Sequence, residues 1–106
     1  MRRPSRLVLL GHPVDHSLSP AFQNAALRRT GIPLIYSALD VLAADLAGAV
    51  RLLAENRAAG NVTIPHKEAM FDLCARHTAL AERVGAVNTF WVDDDRSLVG
   101  DNTDVG

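Results

Sequence analysis

The sequence has a single cysteine, Cys74, among its 106 residues. No internal disulfide can form, and a reducing, cytoplasmic setting fits best. There is no surplus of positive charge: 11 Lys and Arg face 12 Asp and Glu, for a formal net charge of −1. Neither nucleic acid nor an anionic membrane is offered a basic surface. Long apolar runs are missing too. Leu7 to Leu10 is far too short to span a bilayer. The N-terminus, Met1-Arg2-Arg3-Pro4, is basic, but four apolar residues followed by Gly11-His12-Pro13 are too few for a signal peptide. No G-x-G-x-x-G and no Walker motif occurs, so no loop for cradling a nucleotide phosphate is encoded. Repeats, low-complexity stretches and linker-like segments are also lacking. With this length, that points to one domain over residues 1–106.

What is present alternates. Leu7 to Leu10, ending at Gly11, reads as a strand buried on both faces. Ser19-Pro20 starts a helix, with serine as N-cap and proline at the first helical position, and the helix stops near Thr30-Gly31. Leu34 to Leu39 reads as a second strand. Leu42, Leu46, Val50 and Leu53 recur at helical spacing. Gly60 ends the next turn, Asn61 to Thr63 is a short strand, and Pro65 starts a helix carrying Ala69, Met70 and Leu73. A further short helix reaches Val84 and closes at Gly85. Ala86 to Val92 and Leu98-Val99 flank the polar turn Asp93 to Ser97 as a hairpin. The order β-α-β-α-β-α-α-β-β implies an α/β fold. It is expected to be a three-layer open sheet, mostly parallel, with helices on both faces and a C-terminal antiparallel hairpin. The polar ending, Gly100 to Gly106, reads either as a frayed tail or as a truncated chain.

In open α/β sheets ligands bind beyond the carboxyl ends of the strands, and the polar residues of this sequence gather there. Ser17 and Ser19 lie two residues apart at a helix start, where free N–H groups favour an anion; equally, Ser19 can cap the helix while Ser17 is solvated. Asn61 and Thr63 alternate onto one strand face and precede Lys67, which stands in a first helical turn where the dipole disfavours a cation. Such a set can hold a polyhydroxylated ligand, or be a polar strand end beside a surface lysine. Asn88 offers a donor and an acceptor, and Asp101 to Asp104 brings carboxylates that can fix the ammonium of Lys67 or share its proton. Each has an ordinary alternative as a turn asparagine and a solvated tail. His12 and His16 lack a convincing third metal ligand. His66 and His77 read as helix-surface residues, Cys74 as a buried inert thiol, and Asp93 to Asp95 as a solvated turn.

Four segments taken together resemble the substrate-binding domain of shikimate dehydrogenases. They are Gly11 to Pro20 (GHPVDHSLSP), Gly60 to Lys67 (GNVTIPHK), Gly85 to Thr89 (GAVNT) and Gly100 to Asp104 (GDNTD), in the family's order and spacing. The resemblance implies that Ser17 and Ser19 bind the substrate carboxylate. It implies that Asn61, Thr63, Asn88 and Asp104 hydrogen-bond ring hydroxyls, and that Lys67 and Asp104 are the catalytic pair. The implied reaction is NADPH-dependent reduction of 3-dehydroshikimate to shikimate in aromatic amino-acid biosynthesis. Quinate/shikimate dehydrogenase and a non-catalytic shikimate-binding module are the alternatives. Family members continue into a Rossmann domain that binds NADP and supplies a substrate-contacting glutamine and tyrosine. The 106 residues are therefore expected to be a truncated domain, inactive alone and prone to self-associate through the surface the truncation exposes. The sequence departs from the family in having Gln23 before Asn24, where histidine is frequent, and Ala59-Gly60 before Asn61, where Gly-Phe or similar is frequent.

Overall fold

The computed structural model describes residues 4–14 and 19–103. Among the described residues six strands form one sheet: β1 (Leu7–Gly11), β2 (Tyr36–Asp40), β3 (Ala59–Val62), β4 (Arg76–His77), β5 (Thr89–Val92) and β6 (Leu98–Asp101). The helices are α1 (Ser19–Thr30), α2 (Leu46–Glu55, preceded by a 3₁₀ turn over Ala43–Asp45), α3 (Lys67–Leu73) and α4 (Ala79–Val84). The strand order is β2-β1-β3-β5-β6-β4. β1 pairs in parallel with β2 and β3, and β4 in parallel with β6. β3–β5 and the β5–β6 hairpin are antiparallel. The α/β sheet and its antiparallel hairpin are as the alternation implies.

The period of two along each strand sorts side chains between two layers. Val8, Leu10, Val62, Phe90 and Val92 join Leu46, Val50 and Leu53 of α2, Met70 of α3 and Ala81 of α4 in one buried cluster. On the opposite face Leu7, Tyr36, Asn61, Thr89 and Trp91 line a groove of about 300 Å³ that Gln23 of α1 also borders. Helix α1 is fastened there by Asn24, whose amide donates to the Tyr36 carbonyl (2.8 Å) and accepts from the Tyr36 N–H (2.7 Å). Arg28 and Arg29 in its last turn suit the negative end of the helix dipole.

Several boundaries differ from the sequence reading. β2 begins at Tyr36 rather than Leu34: the Leu34 N–H donates to the Ile32 carbonyl, closing a turn, and Ile35 is left 69% exposed. Gly60 lies inside β3, where a Cβ would collide with the backbone of Val8 on the neighbouring strand. Helix α3 starts at Lys67 rather than Pro65, because the His66 N–H first closes a turn onto the Thr63 carbonyl. Strand β5 starts at Thr89, not Ala86. The two-residue β4 was not foreseen; it is an edge held by Ala75 N–H to Leu98 O and Thr78 N–H to Gly100 O. Gly85 closes α4 in the left-handed conformation, φ 75°, and Thr78 caps its start by accepting from the Ala81 N–H.

Candidate active site

Because β6 is antiparallel to β5 and β5 to β3, β6 runs with β1, β2 and β3. The carboxyl ends of these four strands therefore share one rim with the start of β5. Backbone hydrogen bonds tie the rim segments together. Thr63 N–H donates to Leu10 O, His12 N–H to Ile64 O, Val62 N–H to Asn88 O, Val87 N–H to Lys67 O and Asn88 N–H to Asp101 O, all within 3.0 Å. Thr63, Lys67, Asn88 and the 101–103 segment are thus gathered at one place, although the sequence spreads them over 40 positions from 63 to 103. Ser17, the Ser19 side chain, His16 and Asp104 lie outside the described residues.

Thr63, half-buried, packs its methyl group against Gly11, where a Cβ would also meet Val14 at 2.8 Å. That glycine lets the β1 turn close onto the Thr63 segment. Asn61 is also half-buried, but its amide is bonded within the sheet. Its Oδ1 accepts from the Tyr36 hydroxyl at 2.8 Å, and its Nδ2 donates to Thr89 Oγ1 at 3.3 Å and to Asn88 O at 3.4 Å. It bridges β2, β3 and β5 on the groove side. Burial pushes the Tyr36 hydroxyl pKa upward, so the phenol stays a donor.

Asn88 is 7% exposed and grips Thr103: Oδ1 accepts the Thr103 N–H at 2.9 Å and Nδ2 donates to Thr103 Oγ1 at 3.0 Å. Thr89 Oγ1 also donates to Asn88 Oδ1 at 3.0 Å. Asn102, 3% exposed, donates to Ala86 O at 3.1 Å. Asp101 Oδ1 accepts from Thr78 Oγ1 at 2.6 Å and from the Asn102 N–H at 2.8 Å. These bonds fix the course of the chain immediately before Asp104.

Two histidine expectations are corrected. His66 is not a surface residue: it is 1% exposed, with Nε2 2.5 Å from Val41 O just past β2. His77 is not helical: it lies in β4, stacked on Phe71 with ring centroids 3.9 Å apart, its nitrogens against Glu82 Oε1 and Phe71 O. Asp93 is half-buried and Asp95 exposed, and neither is merely solvated, since both bond the Arg76 guanidinium, at 2.6 and 2.8 Å. Cys74 is buried as expected, one residue beyond α3, and burial pushes its thiol pKa up to about 11. His12 Nδ1 lies 2.6 Å from Asp40 Oδ1, and no group of three metal-ligating side chains occurs among the described residues.

Sequence reasoning missed Asn24, Tyr36, His66 and Thr103 as supports of the site. Their signal is non-local: each bonds a group at least 12 positions away in the sequence.

A mixed sheet that brings polar residues to the carboxyl-end rim of its parallel strands has the layout of the α/β domains that take small molecules at that rim. Residues 9–90 match the family model for the shikimate dehydrogenase substrate binding domain, and the chain belongs to that family. A shikimate dehydrogenase (NADP⁺) of Prochlorococcus marinus is 40% identical over 104 residues, 97% of this chain and 36% of the relative. One from Moorella thermoacetica is 50% identical over 99 residues, 92% of this chain and 33% of the relative. Among solved structures, the Thermus thermophilus shikimate 5-dehydrogenase in complex with shikimate superposes with a TM-score of 0.87 at 38% identity, covering 93% of this chain and 38% of that one. The 5-ketofructose reductase of a Gluconobacter strain gives a TM-score of 0.88 at 28% identity, covering 98% and 38%. The chain therefore spans about a third of the length of the relatives it matches.

Proposed function

We propose that this chain is the shikimate-binding domain of an NADP-dependent shikimate dehydrogenase, a cytoplasmic enzyme reducing 3-dehydroshikimate to shikimate. The observation that carries this reading is the meeting of Thr63, Lys67 and Asn88 at one strand-end rim in a chain of this family. No described helix is long and apolar enough to cross a membrane.

The chain itself does not fit NADP. Its glycines nowhere form a phosphate-cradling loop, and the cofactor falls to protein outside these 106 residues. NADPH would supply the hydride. What these residues contribute is binding, orientation and a proton. Ser17 and Ser19 would take the substrate carboxylate at the start of α1. Thr63, Asn88 and Asp104 would take ring hydroxyls, with Asn61 acting through the strand it braces. The Lys67 ammonium would protonate the oxygen on which negative charge develops at C3, with Asp104 orienting that ammonium. Exposed Phe22 and Ile35 supply apolar surface for the expected self-association.

Titrating the protein with shikimate, followed by amide NMR, tests the reading. Saturable shifts are expected at Thr63, Lys67, Asn88 and Thr103. Lys67→Ala should weaken binding by roughly 10- to 100-fold, the worth of a hydrogen bond to a charged group. Saturation by 5-ketofructose with none by shikimate would assign the chain to another substrate.

A further inference from the structure

We propose that His66 is a positioning residue for Lys67, acting through a hydrogen bond from its buried ring to the end of β2. The proposal rests on Lys67 working at the site as described above.

Helix α3 has only seven residues, too short to hold itself in place. Its first residue, Lys67, sits where the helix dipole opposes a cation, so local preference does not put the ammonium there. Something outside the helix must fix its start. Besides the turn from the His66 N–H to the Thr63 carbonyl, two longer-range anchors do so. The Lys67 carbonyl accepts from the Val87 N–H at 2.9 Å, next to Asn88. One residue earlier, the His66 ring reaches the Val41 carbonyl, whose own N–H donates to Gly11 O at 3.0 Å. The ring thus ties the start of α3 to the ends of both β2 and β1. A carbonyl only accepts, so His66 Nε2 carries the hydrogen. With the ring 1% exposed, no water replaces that bond if it is lost. Losing it removes the tie to β2 and loosens the helix start, although the Val87 N–H and the turn from the His66 N–H to the Thr63 carbonyl remain, and Lys67 shifts with it. A site that depends on an ammonium placed to within a fraction of an ångström loses affinity when that happens.

Lys67 is the sole lysine in the sequence, the other ten of its eleven Lys and Arg residues being arginine. Protein labelled with ¹³C,¹⁵N-lysine therefore reports this side chain alone. His66→Leu removes the donor. His66→Gln restores an N–H at nearly the reach of Nε2. In His66→Leu the Lys67 Cε and Nζ signals are expected to move toward free-lysine values and shikimate affinity to fall roughly two- to tenfold, the worth of one hydrogen bond. In His66→Gln both are expected to return close to those of the unaltered protein. Leucine leaving both readouts unchanged, or glutamine proving as harmful as leucine, overturns the proposal. Should the leucine variant not fold, the ring ¹⁵N spectrum of the unaltered protein decides: Nε2 must bear the proton, and an unprotonated Nε2 overturns the bond. The Lys67 signals and the ring spectrum need no ligand, so failure of the unaltered protein to bind shikimate overturns the functional reading and leaves the anchoring result intact.

Discussion

The two halves of the sheet are built differently. The β2-β1-β3 half uses strands of four or five residues, joined by parallel ladders and filled by aliphatic side chains such as Val8, Leu10 and Val62. The β5-β6-β4 half uses strands of four residues and two, and polar side chains brace its rim: Asn88 to Thr103, Asn102 to Ala86, Thr78 to Asp101. The first half depends on close approach of backbones, the second on satisfied buried amides. The candidate site straddles them. Thr63 comes from the first half, Asn88 and Thr103 from the second, and Lys67 follows β3 while bonding back to Val87. A ligand at this rim would touch both kinds of scaffold, so damage to either half should reach it by a separate route.

The largest effect is expected in the first half. Gly60→Ala sets a methyl group against the Val8 carbonyl oxygen, carbon and nitrogen, and backbone within a ladder cannot step aside as a side chain would. A loss of about 3 kcal/mol or more is expected from such overpacking, read as the urea midpoint with unchanged m-value. A loss below about 1 kcal/mol would mean that the β1–β3 approach is looser than described.

In the second half the matching change is Asn102→Ala. It strips a 3% exposed amide from Ala86 O and leaves that carbonyl without its partner. About 1–3 kcal/mol should be lost, the range for an unsatisfied buried group. Hydrogen exchange separates this from a global effect. Amides of Asn88 and Thr103 should exchange faster, while those of β1 keep their protection relative to global unfolding. Uniform acceleration throughout would erase the distinction between the halves.

The same division explains what the sequence makes legible. Leu7 to Leu10, a helix start at Ser19-Pro20 and Gly85 as a left-handed helix stop are local signals, and the structure has each of them, with Ser19 as the first helical residue rather than the cap. Asn61, Thr63 and Lys67, then Asn88, then Asp101 to Asp104, are recognisable as carriers of polar chemistry because polar side chains gather there at strand ends. The strand β4 was invisible, since two residues carry no alternation to read. Ile35 misled, because an apolar residue beside a strand reads as strand, whereas the Ile32–Leu34 turn turns it outward. His66 misled for a deeper reason. A histidine one residue before a lysine looks solvated, and only a carbonyl 25 positions away makes its burial tolerable. The roles of Asn61 and Asn88 were open for the same cause, since an amide can face a ligand or a neighbouring strand and sequence does not show which. In this structure the Asn61 amide braces three strands.

The smallest effect belongs to the surface of the second half, where Arg76 joins Asp93 and Asp95 across the hairpin turn. All three side chains are substantially exposed, so solvent screens the pairing. The hydrogen bond from Arg76, followed by those from Ser97, holds the Asp95 carboxyl at about 2, below its ordinary value. A carboxyl whose pKa is lower in the folded than in the unfolded chain stabilises the fold above the unfolded pKa, near 4. That contribution disappears as pH falls from there through about 2. Arg76→Gln should therefore shift the urea midpoint far less than Asn102→Ala at pH 7, and the shift should shrink in high salt. As pH is lowered through that window the variant and the unaltered protein should converge, because protonated Asp95 no longer distinguishes arginine from glutamine by charge. A difference that survives unchanged below pH 2 would show that Arg76 acts through packing of its stem against the turn, and the second half would then depend on its surface as well as on its buried amides.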